Sequence, residues 1–181
     1  VFKHKHEMET GRTSSVSQQY IRTPDKVIEF NDLAGHEKYY KCTAKQLATN
    51  LLDYIAIIIN AGSGIQMMTR EHIALAYSLR LPMFIVFTKI DNCPQNIYNI
   101  NLEYIKSFYE KKMNLEIKTI STLSDLTLLD KSFTKGCNFV PLFPVSNVSG
   151  QGIDLVKQFI LNLERYINYQ NLENDKPKDR K

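Results

Sequence analysis

Apolar positions along this chain fall into two kinds of run, short continuous ones and longer ones at helical spacing. Val27-Ile-Glu-Phe30 reads as a strand leading into Asn31-Asp32. Tyr54-Ile-Ala-Ile-Ile-Ile59 is apolar throughout, as expected of a strand covered by helices on both faces. Met83-Phe-Ile-Val-Phe87 is the third strand, entered from Pro82. A fourth run, Val140 to Val145, contains Pro141 and Pro144, which predicts an edge-like or irregular strand. Helical spacing predicts helices over Glu37–Leu51, over Thr69–Leu79 with Thr69 as N-cap, and over Asn101–Met113. The clearest stripe is the last, running from Ile153 through Val156, Phe159, Ile160 and Leu163 to Tyr166 and Ile167. Strands alternating with helices predict parallel βαβ units, hence a three-layer α/β domain with a mostly parallel sheet.

Segment 114–138 is too long for a tight connection and rich in Thr, Ser, Lys and Asp. It is expected to be an insertion with a short strand at Ile117–Ile120 and a short helix. From Asn168 the chain turns to Asn, Lys and Asp, so 168–181 is expected to be a polar tail or linker after a domain over 1–167.

Composition narrows the class without choosing a function. With 181 residues, 43% apolar and 23% charged, the chain is long enough to bury one substantial core. The formal net charge is +4 and the sequence pI about 8.9, with much of the excess at the two ends. Such mild basicity is compatible with an RNA-rich partner. Cys42, Cys93 and Cys137 are odd in number and never paired as C-x-x-C, which argues against a disulfide framework or zinc ribbon and for a reducing, cytoplasmic home. No apolar run reaches the ~18 residues of a membrane span, and the start shows no signal-peptide pattern. His4 and His6 lack a third ligand at zinc spacing.

In α/β sheets ligands bind beyond the carboxyl ends of the strands, so the residues after each run carry the chemistry. After the first come Asp32-Leu-Ala-Gly35-His36-Glu37. A carboxylate there can hold magnesium, usually through water, and a glycine three residues on lets a backbone N–H approach a phosphate. After the third come Thr88-Lys89-Ile90-Asp91. The aspartate can accept both the N1–H and the exocyclic amine of guanine, a pairing adenine cannot supply, and Lys89 can lie along the base. The plain alternative is a helix-capping aspartate before Asn92-Cys93-Pro94. After the fourth come Ser146-Asn147-Val148-Ser149-Gly150, whose N–H groups can meet the guanine carbonyl; this is also ordinary turn chemistry. The roughly 56 residues from Asp32 to Thr88 suit two crossovers at ~30 residues per βαβ unit. All three motifs are thus expected on one rim of one sheet.

Together these motifs resemble the G domain of translational GTPases, most closely the GTP-binding protein 1 and 2 branch related to elongation factor Tu and elongation factor 1-alpha. The resemblance rests on the stretch from His4 to Val16, on Asp32-Leu-Ala-Gly-His-Glu-Lys-Tyr39, on Asn60-Ala-Gly62 with Met68-Thr-Arg-Glu-His72, and on Thr88 to Pro94; it runs from the start to about Tyr166. It implies GTP binding and hydrolysis to GDP with magnesium, and a ribosome or RNA–protein complex as partner, with neither DNA nor membrane expected. Within it, Thr13 is the switch I threonine that ligates magnesium with Asp32. Gly35 completes the switch II pair, and His36 orients the attacking water. Thr88, Lys89 and Asp91, with Ser146, Asn147 and Val148, form the base site.

The pattern departs from the family at the phosphate loop. No G-x-x-x-x-G-K-[ST] occurs anywhere in the chain, and that loop normally cradles the phosphates and supplies a magnesium ligand. The expected fold is therefore a P-loop NTPase-like G domain without its first strand, phosphate loop and first helix. Val1 is not a methionine, and the expectation is that the native chain extends upstream. The alternative is a non-catalytic, GTPase-like interaction module. Arg12 also stands where the elongation factors carry an apolar residue.

Overall fold

The computed structural model describes residues 17–50, 52–129, 133 and 138–165. They form two compact units. One holds the described residues up to Asn50 together with Gln66–Leu79; the other holds Leu52–Ile65 and the described residues from Arg80 onward.

The second unit is built on four strands: β3 (Ile55–Asn60), β4 (Met83–Thr88), β5 (Glu116–Thr119) and β6 (Phe139–Pro144). They pair in parallel in the order β3-β4-β6-β5. Three helices belong to this unit: α3 (Gln95–Met113), α4 (Leu123–Leu129) and α5 (Ile153–Asn162). Alternate residues of β4 serve opposite faces, as the strand period requires. Phe84 meets Phe159 of α5 at 5.2 Å between ring centroids, while Phe87 meets Tyr98 of α3 at 5.3 Å. One helix layer therefore lies on each side of the sheet. Phe159 is the hub of one face, touching Phe84, Phe133 and Phe143 and closed around by Leu126, Leu129 and Val145. Ile105, Tyr109 and Met113 fill the other face from α3.

The Val140–Val145 run is not edge-like. β6 lies inside the sheet between β4 and β5, and Val140, Leu142 and Phe143 are buried. Its prolines are tolerated because of where the ladders run. Pairing with β4 begins at Ile85↔Leu142, after Pro141, and pairing with β5 ends at Thr119↔Leu142, before Pro144. Neither missing N–H interrupts a ladder. Segment 114–138, expected as an insertion, contains β5 and α4, and Leu126, Leu129 and Phe133 from it reach the core cluster. β3 pairs on one side only within this sheet, with Ile57 and Ile59 buried and Ile58 61% exposed.

The first unit contains β1 (Ser17–Arg22), β2 (Val27–Asp32), a 3-10 turn at Glu37–Tyr39, α1 (Tyr40–Thr49) and α2 (Met67–Ser78). β2 does not join the parallel sheet. It pairs antiparallel with β1 in a two-stranded ribbon, from Ser17↔Asp32 to Arg22↔Val27. The reason lies in its composition: Glu29, Asn31 and Asp32 break the apolar run, and no residue of β2 is buried. A sequence half polar on both faces suits a ribbon, not a strand covered by helices.

Helix boundaries also moved. α1 begins three residues later than expected because Glu37–Tyr39 forms the 3-10 turn first. Gln66, not Thr69, is the N-cap residue of α2, and Thr69 lies inside its first turn. α3 begins at Gln95, immediately after Pro94, whose fixed φ suits a helix start.

Candidate functional site

In the second unit the loops that follow β4 and β6 are neighbours joined by backbone hydrogen bonds. The Val145 N–H donates to the Phe87 carbonyl at 2.8 Å, and the Ile90 N–H donates to the Val145 carbonyl at 3.4 Å. Thr88 closes β4, its hydroxyl donating to the Ile59 carbonyl at 3.3 Å. Lys89 then adopts the left-handed conformation, φ 61° and ψ 37°. For a residue other than glycine this costs on the order of 1–3 kcal/mol and survives only where the surroundings enforce it. The turn sets Asp91, exposed, on a 3-10 turn spanning Ile90–Asn92.

Ser146 is fully buried and organises the second loop. Its hydroxyl oxygen accepts the N–H groups of Val148 and Ser149, both at 3.2 Å. Its own N–H donates to the Gln151 carbonyl and its carbonyl accepts from the Gly150 N–H, both at 3.0 Å. Asn147 and Val148 are exposed at the tip. The loop closes at Gly152, φ +73°, where an added Cβ would stand 2.1 Å from the Pro144 carbonyl oxygen. Only glycine fits that approach.

In the first unit Asp32 ends β2 and is exposed. Ala34 is buried, and its carbonyl accepts the Thr43 hydroxyl at 2.7 Å, tying the loop to α1. Gly35 has open space around it: an added Cβ would meet nothing within 4 Å. His36 is half-buried and caps the 3-10 turn, its Nδ1 accepting the Lys38 N–H at 3.2 Å. With Nδ1 accepting, a neutral ring carries its proton on Nε2. Tyr39 contacts the ring edge-on at 6.4 Å.

The second and third motifs therefore share the carboxyl rim of one parallel sheet, while Asp32 and His36 belong to the other unit and another sheet. Thr13, His4 and His6 lie outside the described residues. Among the described residues no group of three or more His, Cys, Asp or Glu side chains is gathered to hold a metal, so the magnesium expectation rests there on Asp32. A single carboxylate does fit magnesium, which keeps most of its waters and takes further ligands from phosphates. No helix among the described residues is long and apolar enough to cross a membrane.

Sequence reasoning missed Asn101 on α3, which donates its side-chain amide to the Ala61 carbonyl at 2.7 Å. Its partner lies 40 positions away, beyond any local pattern; the only cue was the small-residue stretch Ala61-Gly-Ser-Gly64. His72 of α2 packs against the Tyr40 ring of α1, with ring centroids 5.7 Å apart. Burial lowers the His72 pKa below its ordinary value, and the nearby Glu71 carboxylate partly offsets this.

A parallel sheet flanked by helices, with its short loops gathered beyond the strand ends, defines an α/β domain. The elongation factor Tu GTP binding domain family matches residues 1–166, and the chain belongs to that family of translational GTPase G domains. It is 35% identical over 185 residues to GTP-binding protein 1 of Xenopus laevis, covering 88% of this chain and 28% of that protein. It is 30% identical over 182 residues to GTP-binding protein 2 of Homo sapiens, covering 88% of this chain and 30% of that protein. The chain thus spans less than a third of the length of these relatives. Its fold matches a bacterial selenocysteine-specific elongation factor EF-Sec with a TM-score of 0.64 at 24% identity, covering 98% of this chain and 25% of that one. It also matches the elongation factor SelB of Methanococcus maripaludis, solved with the GTP analogue GppNHp, with a TM-score of 0.61 at 20% identity, covering 82% and 28%.

Proposed function

We propose that this chain is the guanine-recognising and water-positioning part of a GTPase that converts GTP to GDP and phosphate. The observation that carries the reading is the turn at Lys89. A left-handed residue at the end of a buried strand presents an exposed aspartate beside a second, hydrogen-bonded loop. That is a rigid base for a flat ligand with two adjacent donors, which guanine presents and adenine does not. In the Ser146 loop the N–H groups of Ser146 and Val148 are taken by internal bonds. The Asn147 N–H is therefore the donor assigned to the guanine carbonyl.

Asp32 would hold magnesium together with Thr13, and the ion would neutralise charge on the phosphates when bound. Gly35 leaves room for its backbone N–H to meet the terminal phosphate. His36, with its proton on Nε2, would orient a water molecule for attack. Hydrolysis of this kind is mostly positioning and charge stabilisation, so it is slow until a partner fixes His36. A ribosome or another RNA–protein complex, met in the cytoplasm, is the partner class this reading calls for.

Asp91→Asn in the full-length protein tests the base assignment. Two charge-assisted bonds at roughly 1.5–3 kcal/mol each predict a loss of GTP affinity of about 100-fold or more, with xanthine triphosphate becoming the better ligand. Unchanged preference for GTP would remove the assignment. Absence of any magnesium-dependent nucleotide affinity in the wild-type protein would instead favour a non-catalytic scaffold.

A further inference from the structure

The loop between β3 and α2 carries none of the base or magnesium motifs, yet its backbone is held at every turn. The Gly62 N–H donates to Asn60 Oδ1 at 2.8 Å, and the Gly64 N–H donates to the Asn60 carbonyl at 2.9 Å. Ala61 is wholly buried, and both its backbone groups are used. Its N–H donates to the Thr88 carbonyl at 2.8 Å, and its carbonyl accepts the Asn101 side-chain amide at 2.7 Å.

The same loop also passes close to the Asn101 amide at Gly64. Gly64 has φ +62°, and an added Cβ there would stand 2.6 Å from Asn101 Oδ1 and 2.9 Å from its Cγ. The loop leaves out a side chain where the Asn101 amide lies. Asn101 thus reaches from α3 through one buried residue to Thr88, one step before the left-handed Lys89 and three before Asp91.

We propose that Asn101 is a positioning residue for base recognition, holding the Asn60–Gly64 loop through Ala61 so that the Thr88–Asp91 turn is fixed before a nucleotide arrives. The inference rests on the assignment of Asp91 to guanine. A buried carbonyl deprived of its donor seeks another partner or water. The shift it causes is transmitted along the Ala61 N–H to Thr88, not to the phosphate side.

The test compares dissociation of fluorescent GDP and of fluorescent IDP, whose base lacks the exocyclic amine, from the full-length protein. Asn101→Asp keeps the shape but cannot donate; Asn101→Ser is the milder second variant should the first not fold. Both are expected to release GDP roughly tenfold faster, the effect of about one hydrogen bond, and to narrow the GDP-over-IDP preference at least about threefold. Amide exchange at Ala61–Gly64 should quicken without nucleotide. A lowered melting temperature with the GDP-over-IDP ratio unchanged would show a merely structural contact and overturn the proposal. Asp91→Ala serves as the control. If it abolishes the preference while the Asn101 variants do not, the Asn101 role alone fails; if it leaves the preference intact, the guanine assignment fails and the Asn101 role with it.

Discussion

Asp91 follows a strand in which Met83, Phe84, Ile85 and Phe87 are all buried, whereas Asp32 ends a strand in which no residue is. The turn bearing Asp91 is joined by backbone bonds to the loop after the neighbouring strand, and the buried Ser146 pins that loop from within. In the loop bearing His36 the Thr43 hydroxyl donates to the Ala34 carbonyl, the Lys38 N–H to His36 Nδ1 and the Tyr39 N–H to the His36 carbonyl. The loops proposed to hold the base are therefore anchored on a buried strand, while the bonds described in the His36 loop span few residues. Under the proposed function, this division would let the nucleotide be held steadily and hydrolysed only when a partner completes the second loop.

The largest effect should come from the core beneath the base side. Phe159→Ala removes the ring that Phe84, Phe133 and Phe143 surround, and such truncations cost about 3–5 kcal/mol. Denaturant unfolding of the full chain measures it. A cost below about 1 kcal/mol would mean that α5 contributes little and that the contrast between the two regions is overstated.

A smaller effect should mark the catalytic side. Thr43→Val leaves the buried Ala34 carbonyl without its donor, at about 1–3 kcal/mol. It should slow GTP hydrolysis while leaving the GDP-over-IDP preference unchanged, since the base loops do not depend on it. A change in base preference would mean that the two loops are not independent.

The smallest effect is pH-dependent. His72 packs against Tyr40, its Nε2 is buried with no hydrogen-bond partner among the described residues, and burial lowers its pKa. A histidine harder to protonate when folded contributes stability that is present above its unfolded pKa of about 6.5 and is lost as pH falls through the folded value. Glu71 reduces the size of that loss. Thermal melts at pH 7.5 and 5.5 should show a steeper acid decline for the wild type than for His72→Phe. Equal declines would remove His72 as a source of acid sensitivity in the α1–α2 contact.

Much of the base side was legible in the chain. The runs at 54–59 and 83–87 became β3 and β4, and Thr88-Lys-Ile-Asp91 lies at the strand end where the pattern placed it. The strand expected at Ile117–Ile120 and the short helix after it are also present. The errors concern partners. Val27–Phe30 is a strand but not of the parallel sheet, and Val140–Val145 is interior despite two prolines.

By itself the sequence determined which segments would be extended or helical, and which polar residues would follow the strands. Those properties depend on spacing that each segment carries within a few residues. Tertiary structure alone decided that β6 would lie between β4 and β5 and that Asn101 would meet Ala61. Each of these depends on which distant backbone edge or carbonyl is left to be satisfied. A buried donor or acceptor must find a partner wherever the fold brings one, and no local periodicity records where that will be.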